Sequence, residues 1–290
     1  MLTRREFVLG TVASGVAGAA CAACAEADVL AAAFARIEKD GGGRLGVAVL
    51  DTQTGLRSGY REHERFAMCS TFKLLAAAAI LRRVDAGAER LDRRIRFEPK
   101  DLVTYSPVTE KHTADGMTLA ELCHAAVTLS DNTAGNLLLA ALGGPAGITA
   151  FARSLGDAVT RLDRIEPELN EAKPGDPRDT TSPAAMTANL RALLIGDALS
   201  AASRAQLTAW LAANKTGDMR LRARLPAGWR VGDKTGTGGN GSNNDVGVFW
   251  PPGRAPILVS AYLTETGVPP EQRNATIAAV GQAVAEALGN

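Results

Sequence analysis

The sequence has no excess charge and few of the residues that build metal or disulfide sites. Its 32 lysines and arginines balance 31 aspartates and glutamates, which disfavours a nucleic-acid-binding protein. Four cysteines among 290 residues are too few for a disulfide scaffold, and the three histidines show no zinc-site spacing. No Gly-x-Gly-x-x-Gly motif or phosphate-binding loop precedes a predicted helix. We therefore expect neither a metal nor an organic cofactor.

The N-terminus differs in composition from the rest of the chain. Arg4-Arg5 precede a weakly apolar stretch rich in glycine and alanine, and small residues continue to Ala25. This order is typical of a twin-arginine export signal over residues 1–25 and predicts a periplasmic or secreted protein. The apolar stretch is shorter than the roughly 20 residues of a membrane-spanning helix. The alternatives are a ragged helical N-terminus and lipid attachment at Cys21, which lacks a bulky aliphatic residue three positions before it.

Strand patterns lie near both ends of the chain. A hairpin is predicted around a turn at Asp51–Gly55, and later strands are predicted at residues 229–233, 246–250 and 257–263. The spacing of apolar residues predicts a helix over residues 26–40, ended by Gly41-Gly42-Gly43, and a second helix over residues 270–288.

Between these segments the pattern changes to alanine-rich helices separated by glycines. Thr118 and Glu121 have the spacing of a capping box, and Ser182-Pro183 is typical of an N-cap followed by proline. Residues 157–181 have no periodicity, and a loop of that length inside a compact domain is usually functional.

This order of elements predicts an α/β plus all-α fold. An antiparallel sheet domain is built from both termini and flanked by helices, and a helical domain is inserted into it. The predicted boundaries are residues 26–62 and 218–290 for the sheet domain and residues 63–217 for the helical domain, including an irregular loop at 161–181. We expect a monomer with its active site in a cleft between the domains.

The segment Ser70-Thr71-Phe72-Lys73 places a serine and a lysine three residues apart. On a helix this step puts both side chains on one face, and a helix N-terminus favours developing negative charge. The pattern is typical of a serine nucleophile activated by lysine, whereas no histidine lies near a Gly-x-Ser-x-Gly motif. The motif alone is weak evidence for a nucleophile, because a serine that caps a helix and a solvent-exposed lysine give the same sequence pattern.

Two further motifs strengthen this interpretation. Ser130-Asp131-Asn132 lies between two apolar helical segments, and Lys234-Thr235-Gly236 lies on a predicted strand. Small neighbours, which we expect to let a substrate lie against that strand, are Gly232, Gly238 and Gly239. Two similar triplets are rejected. Lys215-Thr216-Gly217 has no apolar strand before it, and Ser242-Asn243-Asn244 has the composition of a turn.

The ordered set of three motifs resembles that of the penicillin-recognising serine enzymes. Glu166-Pro167-Glu168-Leu169-Asn170 further resembles the Ω-loop of class A β-lactamases, and Arg164 and Asp179 match the ion pair that closes that loop. The resemblance spans residues 26–290 and implies a β-lactamase/transpeptidase-like fold. It also implies hydrolysis of penicillins and cephalosporins, and hence antibiotic resistance, and leaves carbapenem hydrolysis open.

The resemblance assigns the catalytic roles. Ser70 is implied as the nucleophile that forms the acyl-enzyme, and Lys73 and Glu166 are alternative bases for acylation. Ser130 is implied to pass a proton to the departing lactam nitrogen. Glu166 with Asn170 is implied to hold the water that hydrolyses the ester, the step that a transpeptidase lacks.

The remaining implied roles concern substrate binding. Asn132 is implied to bind the side-chain amide, and Tyr105 to wall the cleft, unless it only packs its loop. The oxyanion hole is assigned to the backbone N–H groups of Ser70 and Thr237. The carboxylate is assigned to the segment Lys234, Thr235, Gly236 and Thr237 together with Arg220. A solvated basic edge formed with neighbouring arginines is the alternative for Arg220.

The cysteines depart from the family pattern. The bridge that many class A enzymes form between positions matching Cys123 and Ala77 cannot form here. The bridge of carbapenem-hydrolysing members, which would join Cys69 to position 238, meets a glycine. We predict that Cys69 and Cys123 are unbridged thiols.

Two other functions share part of the pattern. A D-alanyl-D-alanine peptidase would have the first three motifs but not the Glu166 loop. A β-lactam sensor would be acylated and stop, and the pairing of Glu166 with Asn170 argues against it.

Overall fold

The computed structural model describes residues 13–289, with side chains from residue 26 onward. Within this part of the chain the strands are β1 (Arg44–Asp51), β2 (Arg57–Tyr60), β3 (Phe66–Ala67), β4 (Arg94–Ile95), β5 (Met117–Thr118), β6 (Thr180–Thr181), β7 (Arg230–Thr237), β8 (Asn243–Trp250) and β9 (Ile257–Thr264). The α-helices are α1 (Ala13–Gly41), α2 (Phe72–Asp85), α3 (Leu119–Thr128), α4 (Asn132–Ala141), α5 (Pro145–Ser154), α6 (Pro183–Leu194), α7 (Ala201–Ala212) and α8 (Pro270–Leu288).

The main sheet confirms the predicted fold class. Its five strands are antiparallel in the order β2-β1-β9-β8-β7, so strands from both ends of the chain pair with one another. The helices α2 to α7 lie between these two groups of strands in the sequence. Successive side chains in β1, β8 and β9 point to opposite faces of the sheet. Nearly all of them are buried, because helices cover both faces.

Two apolar cores lie on opposite faces of the sheet. One packs α1 and α8 against it, with Phe34 and Val280 fully buried. The other contains α2, whose residues 72–81 are all buried among neighbouring helices, and reaches the sheet at Tyr262. This second core crosses the predicted boundary between the domains, and the boundaries at residues 63 and 217 stay a prediction.

The N-terminal helix is longer than the sequence pattern indicates. Residues 26–40 are helical as predicted, but α1 begins at Ala13 and passes through the predicted cleavage point at Ala25. It ends at Gly41, where the positive φ angles of Gly42 and Gly43 turn the chain toward β1. The paired arginines, Arg4 and Arg5, lie outside the described residues.

The predicted helix caps are present. Thr118 and Glu121 exchange side-chain and backbone hydrogen bonds at the start of α3, and the Ser182 side chain caps α6 with Pro183 in the first turn. The turn predicted at Ser242-Asn243-Asn244 is wrong, because both asparagines belong to β8. The chain reverses earlier, where the Gly238 N–H donates to the Ser242 carbonyl.

Among the described residues no single helix is long and apolar enough to cross a membrane. The bent pair Asn132–Ala141 and Pro145–Ser154 meets that criterion of length and composition only when the two helices are taken together.

Candidate active site

Ser70 and Lys73 meet at the start of the central helix. Ser70 lies in a 3-10 turn, Cys69–Thr71, that runs directly into α2, and the predicted spacing therefore brings the two side chains together. The Lys73 ammonium donates to Ser70 Oγ at 3.0 Å. Ser70 is 7 % exposed and Lys73 is fully buried, so the lysine is not the solvated residue of the alternative interpretation.

Lys73 is surrounded by acceptors from its own segment and from two others. Besides Ser70 Oγ, its Nζ lies 2.8 Å from the Ser130 carbonyl, 2.6 Å from Asn132 Oδ1 and 2.9 Å from Glu166 Oε1. Burial lowers the pKa of Lys73, and the negative charge of Glu166 opposes that shift. The neutral amine is therefore easier to reach here than on an exposed lysine.

Glu166 lies opposite Lys73 on the irregular loop. Ser70 Oγ donates to its Oε1 at 3.3 Å, and Asn170 donates to its other oxygen. Asn136 on α4 holds the Glu166 backbone from both sides, accepting from its N–H at 2.8 Å and donating to its carbonyl at 2.9 Å. The carboxylate therefore points at the serine while its main chain is fixed to a helix.

The predicted ion pair closes the same loop. Arg164 Nε donates to Asp179 Oδ2 at 2.6 Å. The other carboxylate oxygen of Asp179 accepts from the backbone N–H groups of Asp163 and Arg164. Asp179 is 1 % exposed, and this buried, hydrogen-bonded carboxylate ties the two ends of the loop together.

Ser130 and Asn132 project from the short connection between α3 and α4. Ser130 has a φ of 59°, a left-handed conformation that turns the chain sharply between the two helices. Asp131 caps α4 and accepts from Thr109, so it is structural, as expected from its residue type. Asn132 donates from Nδ2 to the Thr104 carbonyl at 2.8 Å.

Lys234 enters the site from edge strand β7. Its Nζ donates to Ser130 Oγ at 3.0 Å and to the Thr235 carbonyl at 2.8 Å. Burial, and then the positive charges of Lys73 and Arg220, lower the pKa of Lys234 well below its ordinary value.

Arg220 is 9 % exposed and does not form the solvated basic edge that its neighbours favoured. Its guanidinium donates to the Gly236 carbonyl at 2.8 Å and to the Asn244 carbonyl at 2.7 Å. It also donates to Thr237 Oγ1 at 2.6 Å and to Asn274 Oδ1 at 3.1 Å. The hydrogen bonds fix this cation beside the outer end of β7.

Two buried carboxyl groups lie behind this cation. Asp233 and Asp245 come from neighbouring strands, and burial followed by the negative charge of Asp233 raises the pKa of Asp245 well above its ordinary value. Arg222 pairs with Asp233. Asp245 therefore keeps its proton to a higher pH than an exposed aspartate does.

These side chains surround one cavity of about 380 Å³. Nine predicted site residues line it, namely Ser70, Tyr105, Ser130, Asn132, Asn170, Arg220, Thr235, Gly236 and Thr237. Lys73, Glu166 and Lys234 lie directly beneath these residues, in contact with Ser70 and Ser130. Tyr105 is 56 % exposed at the cavity mouth rather than packed within its loop. The cavity joins residues on both sides of position 217.

Two residues around this cavity were not identified from the sequence. Thr216 lines it but belongs to the rejected triplet Lys215-Thr216-Gly217. Asn136, which fixes Glu166, lies four residues after Asn132 on α4, and this helical spacing was the one signal that could have identified it.

The prediction that the glycines in and after β7 leave room for a substrate is wrong. The space beside these glycines, which we expected a substrate to occupy, is filled by other atoms of the protein. A Cβ on Gly232 would lie 3.1 Å from the Leu211 side chain, and one on Gly238 would lie 2.6 Å from Cys69 Sγ. A Cβ on Gly239 would meet the Glu171 carbonyl at 2.5 Å. These glycines allow close packing of the strand against the rest of the protein.

Cys69 and Cys123 are buried and unbridged, as predicted. Burial, with the negative charge of Glu166, raises the pKa of Cys69 to about 12, and burial alone raises the pKa of Cys123. Both remain un-ionised thiols at neutral pH.

Comparisons with known proteins agree with this geometry. A sequence model of the Beta-lactamase enzyme family matches residues 29–288. Beta-lactamase FAR-1 from Nocardia farcinica is 53 % identical over 257 residues, which cover 89 % of this chain and 82 % of the relative. Beta-lactamase CTX-M-25 from Escherichia coli is 47 % identical over 283 residues, covering 98 % and 97 % of the two chains.

A solved structure also shows similarity to a β-lactamase. The ancestral (GNCA) class A β-lactamase is 71 % identical, with a TM-score of 0.89, over 89 % of this chain and 100 % of the other. With the motifs gathered around one cavity and relatives matching over most of their length, this chain belongs to the class A β-lactamase family.

Proposed function

We propose that this protein hydrolyses β-lactam antibiotics, penicillins and cephalosporins among them, through an acyl-enzyme on Ser70. One observation carries the proposal. Ser70 Oγ faces the cavity within hydrogen-bonding distance of two candidate bases, Lys73 Nζ at 3.0 Å and Glu166 Oε1 at 3.3 Å. The resulting activity would confer resistance to these antibiotics.

In acylation, Ser70 Oγ attacks the lactam carbonyl carbon as its proton passes to Lys73 or Glu166. The backbone N–H groups of Ser70 and Thr237 stabilise the oxyanion. The C–N bond of the lactam then breaks. Ser130 donates its proton to the departing nitrogen and takes up in its place the proton that Ser70 gave to the base. Lys234 donates to Ser130 Oγ, which supports this role because the serine hydrogen stays available for the substrate.

Deacylation needs a water molecule activated beside the ester. Glu166 with Asn170 holds and deprotonates this water, which attacks the ester carbonyl, and Ser70 recovers its proton as the penicilloate leaves. Asn136 supports this step, because it keeps the Glu166 main chain in place independently of the carboxylate.

The substrate is oriented by its amide and its carboxylate. Asn132 uses one Nδ2 hydrogen on the Thr104 carbonyl and offers the other to the substrate amide. The carboxylate lies against β7 at Lys234, Thr235, Gly236 and Thr237, beside Arg220. These cationic groups attract an anionic substrate. The site is complete within one chain, so the proposed reaction needs no residue from a second copy.

Arg220→Ala is expected to raise KM for benzylpenicillin about 10- to 100-fold, because a hydrogen bond to a charged group contributes about 1.5–3 kcal/mol. The matched control is Arg224→Ala, an exposed arginine four residues along the same segment, for which KM stays within about twofold of the native value. Steady-state kinetics on both variants test this prediction. An equal effect of the two substitutions would contradict it.

The function itself is tested on the purified mature protein. A chromogenic cephalosporin measures turnover, and the intact mass is followed in parallel with benzylpenicillin. Many turnovers with an unmodified mass afterwards are expected. One stoichiometric burst with a persistent adduct on Ser70 would instead identify a penicillin-binding or sensing protein, and adding a carbapenem to the same assay defines the substrate range.

We also propose export of the protein by the twin-arginine route, based on Arg4-Arg5 and the small residues before Ala25. Replacing both arginines with lysine keeps the charge but is expected to leave the enzyme inside the cytoplasm. Activity measured in separated cell fractions tests this. Unchanged export of the double-lysine variant would overturn the assignment of the route.

A further inference from the structure

Thr216 forms a chain of hydroxyl groups behind the proposed carboxylate site. Its Oγ1 lies 2.5 Å from Thr235 Oγ1 and donates to Asn214 Oδ1 at 2.8 Å. Thr216 and Thr235 both line the cavity, whereas Asn214 is 2 % exposed and lies behind them.

The direction of this chain follows from counting protons. The backbone N–H of Thr216 donates to Asn214 Oδ1 at 3.0 Å, which identifies that atom as the amide oxygen. The Thr216 hydroxyl beside the same oxygen must therefore donate to it. Because a hydroxyl has one hydrogen, Thr235 is the donor in the contact between the two threonines.

This direction points the Thr235 hydrogen away from a ligand in the cavity. A carboxylate accepts hydrogen bonds but donates none, so Thr235 must turn its hydrogen toward it. Thr237 needs no such change, because its Oγ1 accepts from Arg220 and its own hydrogen is not used in that contact.

We propose that Thr216 is a positioning residue for the substrate carboxylate, whose hydroxyl swings from Asn214 to Thr235 when the carboxylate binds. The chain then runs from Thr216 through Thr235 to the carboxylate, and each hydrogen bond polarises the next. Asn214 Oδ1 keeps the backbone N–H of Thr216, so the reversal leaves this buried oxygen paired. The inference deepens the proposed function and rests on its carboxylate site.

Two substitutions and two ligands test the proposal. Thr216→Val removes the hydroxyl at nearly constant shape, and Thr216→Ser keeps it. Benzylpenicillin has the carboxylate, whereas its methyl ester lacks the charge. Because one hydrogen bond is at stake, Thr216→Val is expected to raise KM for the acid about 3- to 10-fold, with kcat within about twofold and KM for the ester unchanged. Thr216→Ser is expected to restore the native KM.

Several results would overturn the proposal. An unchanged KM for the acid would mean that the Thr216 hydroxyl contributes nothing to carboxylate binding. A lower KM would mean that Thr216 only competes with the carboxylate for the Thr235 hydrogen. Equal changes for acid and ester, or failure of serine to restore KM, would indicate a purely structural role.

A binding experiment separates this inference from the proposed function. In a Ser70→Ala background, calorimetric titration measures the dissociation constants of the acid and the ester without hydrolysis. Weaker binding of the acid alone in the added Thr216→Val variant supports the inference even if the native protein does not turn over. Absence of any binding of the acid to the Ser70→Ala protein overturns it.

Discussion

Glu166→Ala is expected to convert the enzyme into one that releases almost no product after its first turnover. Acylation can still use Lys73, whereas the ester loses the base that activates water, and general-base catalysis contributes about 10²- to 10⁴-fold. Intact mass spectrometry should show an increase equal to the whole penicillin, because opening the lactam leaves the nitrogen attached. Turnover after the burst should fall at least about a hundredfold.

The structure indicates that this variant folds. Lys73 keeps three acceptors, Ser70 Oγ, the Ser130 carbonyl and Asn132 Oδ1, one for each ammonium hydrogen. Asn136 still binds the main chain at position 166, since it contacts no atom of the lost carboxylate.

Glu168→Ala is the matched control, because Glu168 is an exposed carboxylate two residues along the same loop. It should leave turnover within about twofold of the native rate. Undiminished turnover by Glu166→Ala would remove Glu166 from the mechanism, and a comparable loss in Glu168→Ala would indicate that the loop as a whole had been disturbed.

Ser70→Ala is expected to abolish both turnover and the covalent adduct. Removing a catalytic serine nucleophile costs about 10⁴-fold or more, because the reaction loses the atom that forms the new bond. Of the acceptors around Lys73, the Ser130 carbonyl, Asn132 Oδ1 and Glu166 Oε1 remain, so the melting temperature should stay close to that of the native protein.

Ser154→Ala controls for serine removal in general, since Ser154 is exposed at the end of α5 and bonds only to its own helix. Its adduct and turnover should match those of the native protein. Combining the two catalytic substitutions orders the steps, because Ser70→Ala should also abolish the adduct that Glu166→Ala accumulates. An adduct in Ser70→Ala, for example on Ser130, would assign the nucleophile to another hydroxyl.

Local features were the most predictable part of the protein. The capping box at Thr118 and the proximity of Ser70 to Lys73 depend on residues three positions apart, and a helical turn brings these together in any fold. The turn predicted at Asn243-Asn244 failed because asparagine is common in turns, while the preceding glycines already reverse the chain and leave both asparagines to pair with β7.

Side chains whose role depends on distant neighbours were harder to predict. Arg220 has the sequence context of a solvated basic edge, yet strand β7 and α8 bury it. Thr216 lacks the preceding strand that the motif requires, but its hydroxyl meets Thr235, 19 residues later. In both cases the decisive contact comes from a segment that no local pattern identifies.

The sequence by itself determined the order of the motifs, the helices and strands that bear them, and through their resemblance the family to which the chain belongs. Only the tertiary structure decided that Asn136 fixes Glu166, that protein atoms fill the space beside Gly238, and how the hydroxyl of Thr216 is directed. The physical reason is the distance along the chain over which each interaction acts. Periodicity and capping act over a few residues, whereas burial, close approach and the direction of a hydrogen bond depend on which distant segments the packed core brings into contact.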